Sequence, residues 1–281
     1  MPALDGFLLA AGLGTRMGPL SEALPKPAWT LRGRSLLQWG AEAFRAEGFT
    51  ALACNAHLHG DRLREAAAGL EVFEEPQLLG SAGGLLHARG RVGDALLTWN
   101  ADALGEAIPF RALKAAHLAA GADLTWLLVP HPGGPWTKVW LGEGGRVLPA
   151  GETGDGPYLF TGAAAWSPGA LALLPEGPSE VRALLPRLAR HLGHVAAPFP
   201  WREVGTPDAL IEAAMALAPD QEGRLPGSYL HPDSEPGPGA EARFTRCILG
   251  PGAAPPPALA DRDAFWSGRD GVQIRVALPR A

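Results

Sequence analysis

Short unbroken apolar runs along this chain are separated by longer stretches in which apolar residues recur every three or four positions. Residues 6–10, 50–55, 70–73, 95–99 and 123–129 read as buried strands. Residues 35–47, 61–68, 81–89 and 110–120 read as helices between them. In the first helix Leu36, Leu37, Trp39, Ala43 and Phe44 supply an apolar face, and Ser35 stands where an N-terminal cap is needed. Strands that alternate with helices predict an α/β fold: a mainly parallel sheet covered on both faces.

The pattern then changes. Residues 136–141, 145–148 and 158–166 read as strands separated by glycine-rich turns, which predicts an antiparallel insertion forming one wall of a cleft. Helices return over residues 179–192 and 208–218, the former with Val181, Leu184, Leu185, Leu188 and Leu192 as its apolar face and a kink at Pro186. These segments predict one domain over residues 1–220. Residues 221–281 form a separate β-rich tail, dense in proline and glycine. In it Leu230, Pro236, Ala242 and Ile248 fall six apart, the spacing of a degenerate left-handed β-helix. So few coils cannot bury their own faces and need support from the main domain or from a second subunit, which leaves a homo-oligomer open. A packed proline-rich tail with no further role fits the same letters.

Composition narrows the partners. The chain has 281 residues, 47% apolar and 19% charged, with a formal net charge of −5. A polyanion such as nucleic acid needs a basic surface, so it is excluded as the main partner, whereas a small anion held in one focused site is not. The two cysteines, Cys54 and Cys247, lie far apart, offer no metal cluster and suit a reducing cytoplasm. The uncharged stretch 156–175 is interrupted by Pro157, Gly162, Pro168 and Gly169, so it is not read as a membrane span.

The chemistry concentrates near the start. The first strand empties into Leu9-Ala10-Ala11-Gly12-Leu13-Gly14-Thr15-Arg16-Met17-Gly18, followed by Pro25-Lys26-Pro27. A strand that ends in glycines and leads into a helix aims backbone N–H groups at an anion, and Arg16 and Lys26 add fixed positive charge. A dinucleotide fingerprint is excluded because Met17 stands where its third glycine belongs; a Walker A loop is excluded because Pro19-Leu20 follows Gly18. Only three lysines occur, Lys26, Lys114 and Lys138, so Lys26 is a selective choice of a compact point charge. At the end of the 95–99 strand stands Asn100-Ala101-Asp102, at the strand end where open parallel sheets bind ligands.

These residues resemble the signature of the sugar-phosphate nucleotidyltransferases, Leu-Ala-Ala-Gly-x-Gly-Thr-Arg-Met followed by Pro-Lys-Pro. The pattern comes nearest to members that act on N-acetylmuramate 1-phosphate with a uridylyl group or on mannose 1-phosphate with a guanylyl group. The resemblance covers about residues 4–217 and implies a Rossmann-like catalytic domain that joins a nucleoside triphosphate to a sugar 1-phosphate, giving a nucleoside diphosphate sugar and pyrophosphate. It implies Mg²⁺ as cofactor. Asp102 and Glu203 are then the metal ligands, and Arg16 and Lys26 the catalytic cations. Leu9, Ala10, Ala11, Gly12, Gly14 and Thr15 are implied to hold the nucleotide. Gly80 and Ser81, in Gly80-Ser81-Ala82-Gly83-Gly84, lie beneath its base and ribose, with Asn100 beside them. Thr161 and Gly162 contact the sugar phosphate half. Base choice is implied to rest on contacts near Glu75, Gln77 and Gly80.

The chain departs from the family pattern in three places. Glu203-Val204-Gly205-Thr206-Pro207 carries glutamate where the family has aspartate, which lengthens a metal ligand by one methylene. Glu152 is followed by Thr153, so the lysine of the family's Glu-Lys-Pro is absent, and Lys138 is the candidate to replace it. Trp136-Thr137 stands where many members have an aromatic residue and glycine. These departures keep two other readings in view: a regulatory subunit that binds nucleotide sugar without making it, and a cytidylyltransferase acting on an alcohol phosphate such as phosphocholine. No contact with nucleic acid or membrane is expected.

Overall fold

The computed structural model describes residues 2–57, 60–217, 228–237, 243–257, 259–269 and 272–278. The chain forms two compact units that interleave in sequence. The first comprises Met1–Gly12, Trp39–His57 and Ala67–Trp201; the second comprises Leu13–Gln38, Leu58–Ala66 and Arg202–Ala281. The boundary expected at 220/221 falls among residues 218–227, outside the described residues.

The first unit is built on an eight-stranded sheet. Its strands run in the spatial order His191–Val195, Leu124–Pro130, Asp155–Trp166, Val92–Asn100, Leu4–Leu9, Leu52–Ala56 and Glu71–Glu74, with Val139–Leu141 paired to Asp155–Trp166. Leu4–Leu9 pairs in parallel with Leu52–Ala56 on one side and with Val92–Asn100 on the other. The chain therefore leaves the first strand toward one flank and later returns to the opposite flank. That reversal opens a crevice at the carboxyl ends of the central strands. Asp155–Trp166 is antiparallel to both of its long neighbours and lies inside the sheet.

Both faces of the sheet are buried, as the unbroken apolar runs require. Phe7, Ala53, Leu96, Leu124 and Trp166 share one core cluster with Ala82, Leu85, Leu171 and Leu184. The Leu36–Ala46 helix buries Leu36, Leu37, Ala41 and Phe44. Its start matches the sequence reading: the Gln38 N–H donates to Ser35 Oγ at 3.1 Å and the Ser35 N–H donates to Gln38 Oε1 at 3.0 Å, a reciprocal cap. Gly40 lets this helix approach the sheet, since a Cβ there would lie 2.5 Å from Leu8 and 3.1 Å from Trp99. The Phe110–Ala120 helix has the predicted bounds and ends on Gly121 in the left-handed region.

Some predicted elements are replaced: the strand expected over residues 145–148 gives way to isolated bridges, Val147 to Leu141 and Arg146 to Leu192, after a 3₁₀ turn at Glu143–Gly145. Residues 179–192 do not form a single helix; Val181–Leu184 is helical, Leu185–Arg187 is a 3₁₀ turn, and His191–Val195 is a strand parallel to Leu124–Pro130. Pro186 cannot supply a helical donor, and the exposed edge of Leu124–Pro130 offers the following apolar residues a better partner than a continued helix. Burial pushes the two free thiols above their ordinary range, Cys54 to about 12, so neither acts as a thiolate nucleophile.

In the second unit the tail stacks its strands in parallel. Tyr229–Leu230 pairs with Ile248–Leu249, which pairs with Ala264–Arg269; Phe244–Thr245 pairs with Asp261–Arg262. Successive rungs lie 17 to 19 residues apart in sequence. Of the six-residue series, Ala242 lies outside the described residues. The rungs are anchored on Trp29, which is fully buried and meets the rings of Tyr229, His231 and Phe265 edge-on at 5.5, 6.1 and 6.2 Å. Tyr229 Oη donates to the Thr30 carbonyl at 2.7 Å. Arg246 binds both Asp208 oxygens and Asp263, tying the tail to the Pro207–Leu217 helix. Among the described residues no helix is long and apolar enough to cross a membrane.

Two predictions follow from packing. Tyr229→Phe removes the hydroxyl's contacts with the Thr30 carbonyl and Thr30 Oγ1 and should lower stability by about 1–2 kcal/mol in a denaturant titration. The His191 imidazole packs edge-on against Trp126, its Nε2 makes no hydrogen bond among the described residues, and burial pushes it down from 6.5 to about 4. The unfolded chain takes up a proton near the ordinary value, whereas the folded chain resists until the lowered one, so stability is lost as pH falls through that window. The loss is on the order of 3 kcal/mol, and the His191→Leu variant should show a correspondingly flatter dependence of melting temperature on pH between 6.5 and 4.

Candidate active site

Most of the sequence-predicted residues of the first unit gather where the central strands end. Leu9 is the last residue of the first strand and lies in register with Asn100, the last residue of Val92–Asn100. The Ala101 N–H donates to the Leu9 carbonyl at 3.0 Å, which fixes the exit of both strands; Ala101 is fully buried and Asp102, next along, is half-buried. Gly12 is exposed, with nothing within 4 Å of the position a Cβ would take. Gly162 has φ +91°, and a Cβ there would lie 2.9 Å from the Asn100 side-chain nitrogen, so glycine is required at this crossing.

Ala10 and Ala11 are buried at 5% and 7% exposure. Their N–H groups are not presented to a ligand: both donate to Asn55 Oδ1, at 2.7 and 3.3 Å. Asn55 Nδ2 donates to Glu75 Oε1 at 2.7 Å, and Glu75 Oε2 accepts the Leu79 N–H at 2.9 Å. This corrects the expected place of Glu75 beside the base, because its carboxylate is 2% exposed and faces inward. Nothing in residue spacing marks Asn55 as the partner of position 75. His57 Nδ1 lies 2.9 Å from the Glu75 carbonyl, an acceptor, so that ring nitrogen carries the proton and the residue is structural.

Two other expectations change in detail. Thr161 is fully buried and its hydroxyl donates to the Leu127 carbonyl at 3.0 Å, so its side chain serves the sheet interior and only Gly162 of that pair faces Asn100. Ser81 is turned to Glu180: its hydroxyl and its N–H both donate to Glu180 Oε2, and the Val181 N–H donates back to Ser81 Oγ at 3.0 Å. The N–H groups of Ala82 and Gly83 donate to the Ser179 carbonyl at 3.0 and 3.1 Å. The Gly80–Gly83 turn is thus braced from behind by residues 179–181, an arrangement with no local signal in sequence.

The second unit carries the charged residues. Gly14 adopts φ +65° and leads into the 3₁₀ turn Thr15–Met17, whose Met17 is fully buried and pins the loop. Ser21 Oγ donates to the Gly14 carbonyl at 2.6 Å, and a Cβ at Gly14 would sit 2.9 Å from that oxygen. Lys26 lies beside this turn, its Cβ 3.5 Å from the same position, and it is only 8% exposed. Pro25 and Pro27 hold it in a short 3₁₀ turn above Trp29. Arg16 forms an ion pair with Glu203, so a predicted catalytic cation and a predicted metal ligand are in direct contact. Gly205 makes room for them, since a Cβ there would lie 2.8 Å from Glu203 Oε1 and 3.0 Å from an Arg16 nitrogen. Thr206 caps the Pro207–Leu217 helix by accepting the Ala209 N–H at 3.2 Å, which fixes the backbone just beyond Glu203.

Known proteins resemble this chain over most of its length. An N-acetylmuramate α-1-phosphate uridylyltransferase from Neisseria meningitidis is 29% identical over 239 residues, covering 76% of this chain and 98% of the relative. One from Caulobacter vibrioides is 30% identical over 240 residues, covering 75% and 96%. A crystal structure titled as a mannose-1-phosphate geranyltransferase from Thermus thermophilus superposes with a TM-score of 0.62 at 18% identity and covers 98% of this chain and 95% of its own, so the fold likeness extends through the tail. The sequence model described as the MobA-like NTP transferase domain matches residues 6–215. The chain belongs to the MobA-like NTP transferase family.

Proposed function

We propose that this enzyme transfers a nucleotidyl group from a nucleoside triphosphate to a sugar 1-phosphate, releasing pyrophosphate. The observation that carries the reading is the second unit's charged turn: Gly14 in the left-handed region with Lys26, nearly buried, against it. A compact cation set beside a left-handed glycine turn is an arrangement that suits gripping a phosphate, and it supports this reading. UTP with N-acetylmuramate α-1-phosphate is the first substrate pair to try, given the names of the two relatives.

The chemistry asks little covalent work of the protein. An oxygen of the sugar phosphate attacks the α-phosphorus in line, a P–O bond forms, the bond from that phosphorus to the bridging oxygen breaks, and pyrophosphate leaves with the electron pair. Catalysis is then positioning and cancellation of negative charge. In this proposal Gly12, Gly14 and Thr15 orient the triphosphate through backbone N–H groups. Arg16 and Lys26 take up charge that builds on the α-phosphoryl group and on the leaving pyrophosphate. Lys26, a point charge on a flexible stem, can follow the phosphate as its geometry changes.

Asp102 and Glu203 are the residues proposed to hold Mg²⁺. The donor set fits a hard cation, because both are carboxylates and Mg²⁺ takes one or two of these with waters and substrate phosphates. Among the described residues no group of three or more histidine, cysteine, aspartate or glutamate side chains gathers, which suits a site completed by substrate and not an all-protein cage. A carboxylate has two oxygens, so Glu203 can keep Arg16 on one and offer the other to the cation. When bound, the ion would neutralise phosphate charge and align the reacting groups.

A matrix of nucleoside triphosphates against sugar 1-phosphates, read by pyrophosphate release, tests the reading. Lys26→Ala and Asp102→Asn should each lower kcat by about 100-fold or more while the circular dichroism spectrum is retained. A chelator should abolish turnover, and added Mg²⁺ should restore it. Nucleotide binding without pyrophosphate release from any pair would overturn the proposal.

A further inference from the structure

Asn55 and Glu75 form a buried strut that none of the proposed chemistry uses. Asn55 is 3% exposed and Glu75 2%. The orientation of the Asn55 amide is fixed by its neighbours: two N–H donors face Oδ1 and a carboxylate faces Nδ2. Glu75 is held at its backbone as well, its N–H donating to the Ala56 carbonyl at 2.7 Å. The strut begins on Ala10 and Ala11, where the chain leaves the first strand, and ends on Leu79, immediately before the Gly80–Gly83 turn. It is packed without slack. A Cβ at Gly84 would lie 2.4 Å from Asn55 Nδ2 and 3.0 Å from Glu75 Oε1, although the Gly84 backbone, at φ −59° and ψ −28°, would accept alanine.

A carboxylate buried this deeply costs more than a hydrophobic residue of the same volume would, unless rigidity is what it supplies. Neither carboxylate oxygen is aimed at an open site. Each is spent on one of two segments, and those segments are the ones assigned above to the phosphate end and the base end of a nucleotide. We propose that Asn55 and Glu75 are positioning residues that set the spacing between the Ala10–Ala11 segment and the Leu79–Gly80 turn, so that a nucleoside triphosphate meets both in register. The inference rests on the nucleotidyltransferase reading and deepens it by naming what aligns its nucleotide subsite. A preset spacing spares the nucleotide the cost of ordering two loops, so the strut acts on nucleotide affinity and not on the sugar phosphate.

Hydrogen-bond polarity makes the idea testable by exchange. Glu75→Gln leaves one acceptor where two donors must be met, and its new N–H₂ faces a donor. Asn55→Asp sets a second carboxylate against Glu75. The double variant Asn55→Asp/Glu75→Gln restores every bond and reverses only the one between the two side chains: the new carboxylate at position 55 accepts from Ala10, Ala11 and the amide at 75, whose oxygen accepts from Leu79. Binding of UTP and GTP by calorimetry, steady-state kinetics and melting temperature are measured on the full chain. Each single variant should weaken the nucleotide that the parent binds by about 10- to 100-fold, the worth of a hydrogen bond to a charged group. KM for the sugar phosphate should stay within about 2-fold, and the double variant should recover nucleotide affinity to within about 3-fold. Gly84→Ala, which crowds the strut without removing a polar group, should also raise the nucleotide Kd.

A strut that only stabilises the fold would lower the melting temperature and leave nucleotide Kd and KM unchanged; that result overturns the proposal. So does a double variant that folds and binds no better than the singles, or failure of all these variants to fold. If the parent binds neither nucleotide, the nucleotidyltransferase reading itself fails and the strut proposal goes with it. Parent binding with unaltered variants sinks the strut alone.

Discussion

A backbone that leaves a parallel sheet at its centre must find hydrogen-bond partners for the N–H groups that no further strand will take. In this chain the first strand stops at Leu9, and the next two N–H groups go to one side-chain oxygen, Asn55 Oδ1. That amide in turn needs an acceptor for its own N–H, which Glu75 supplies, and the carboxylate needs a second donor, which is the Leu79 N–H. Each group is buried and each is satisfied by the next. Unpaired buried polar groups are costly enough that the series is best complete. The consequence is that the crevice at the strand ends has stiff walls before any ligand arrives.

The charged residues follow a different logic. Arg16 is largely exposed, at 59% of its side-chain area, while Glu203 is at 19%. An ion pair of this kind contributes little stability and can exchange partners at small cost. Lys26 is the opposite case, held nearly out of water by two prolines and by the packing around Trp29. One cation sits in a solvated pair and the other is held within a packed turn.

Much of this was legible in the letters. The run from Leu9 to Gly18, with Lys26 after it, marked the strand exit and the turn beside the lysine, because strand, glycine and cation follow one another closely. The Ser35–Gln38 cap and the bounds of the Phe110–Ala120 helix were readable because they depend on residues three or four apart. Residues 179–192 misled because their apolar spacing suits a helix, while the partner that makes His191–Val195 a strand lies far off in sequence at Leu124–Pro130. The tasks of Glu75 and Thr161 were hidden for the same reason: a carboxylate near a glycine turn, or a threonine before a glycine, reads as a ligand contact until the long-range partner that occupies it is seen.

Trp29 shows what this interleaving means for the order in which the protein can be completed. Its indole is walled by Tyr229, His231 and Phe265, which lie 200 or more positions further along the chain. The sheet from Leu4 to Val195 contains no strand later than His191–Val195 and can pair while synthesis continues. The lysine-bearing turn has no such option. During translation it lacks these walls until residue 265 has emerged, so the packing around it is completed well after the strands of the sheet have been made.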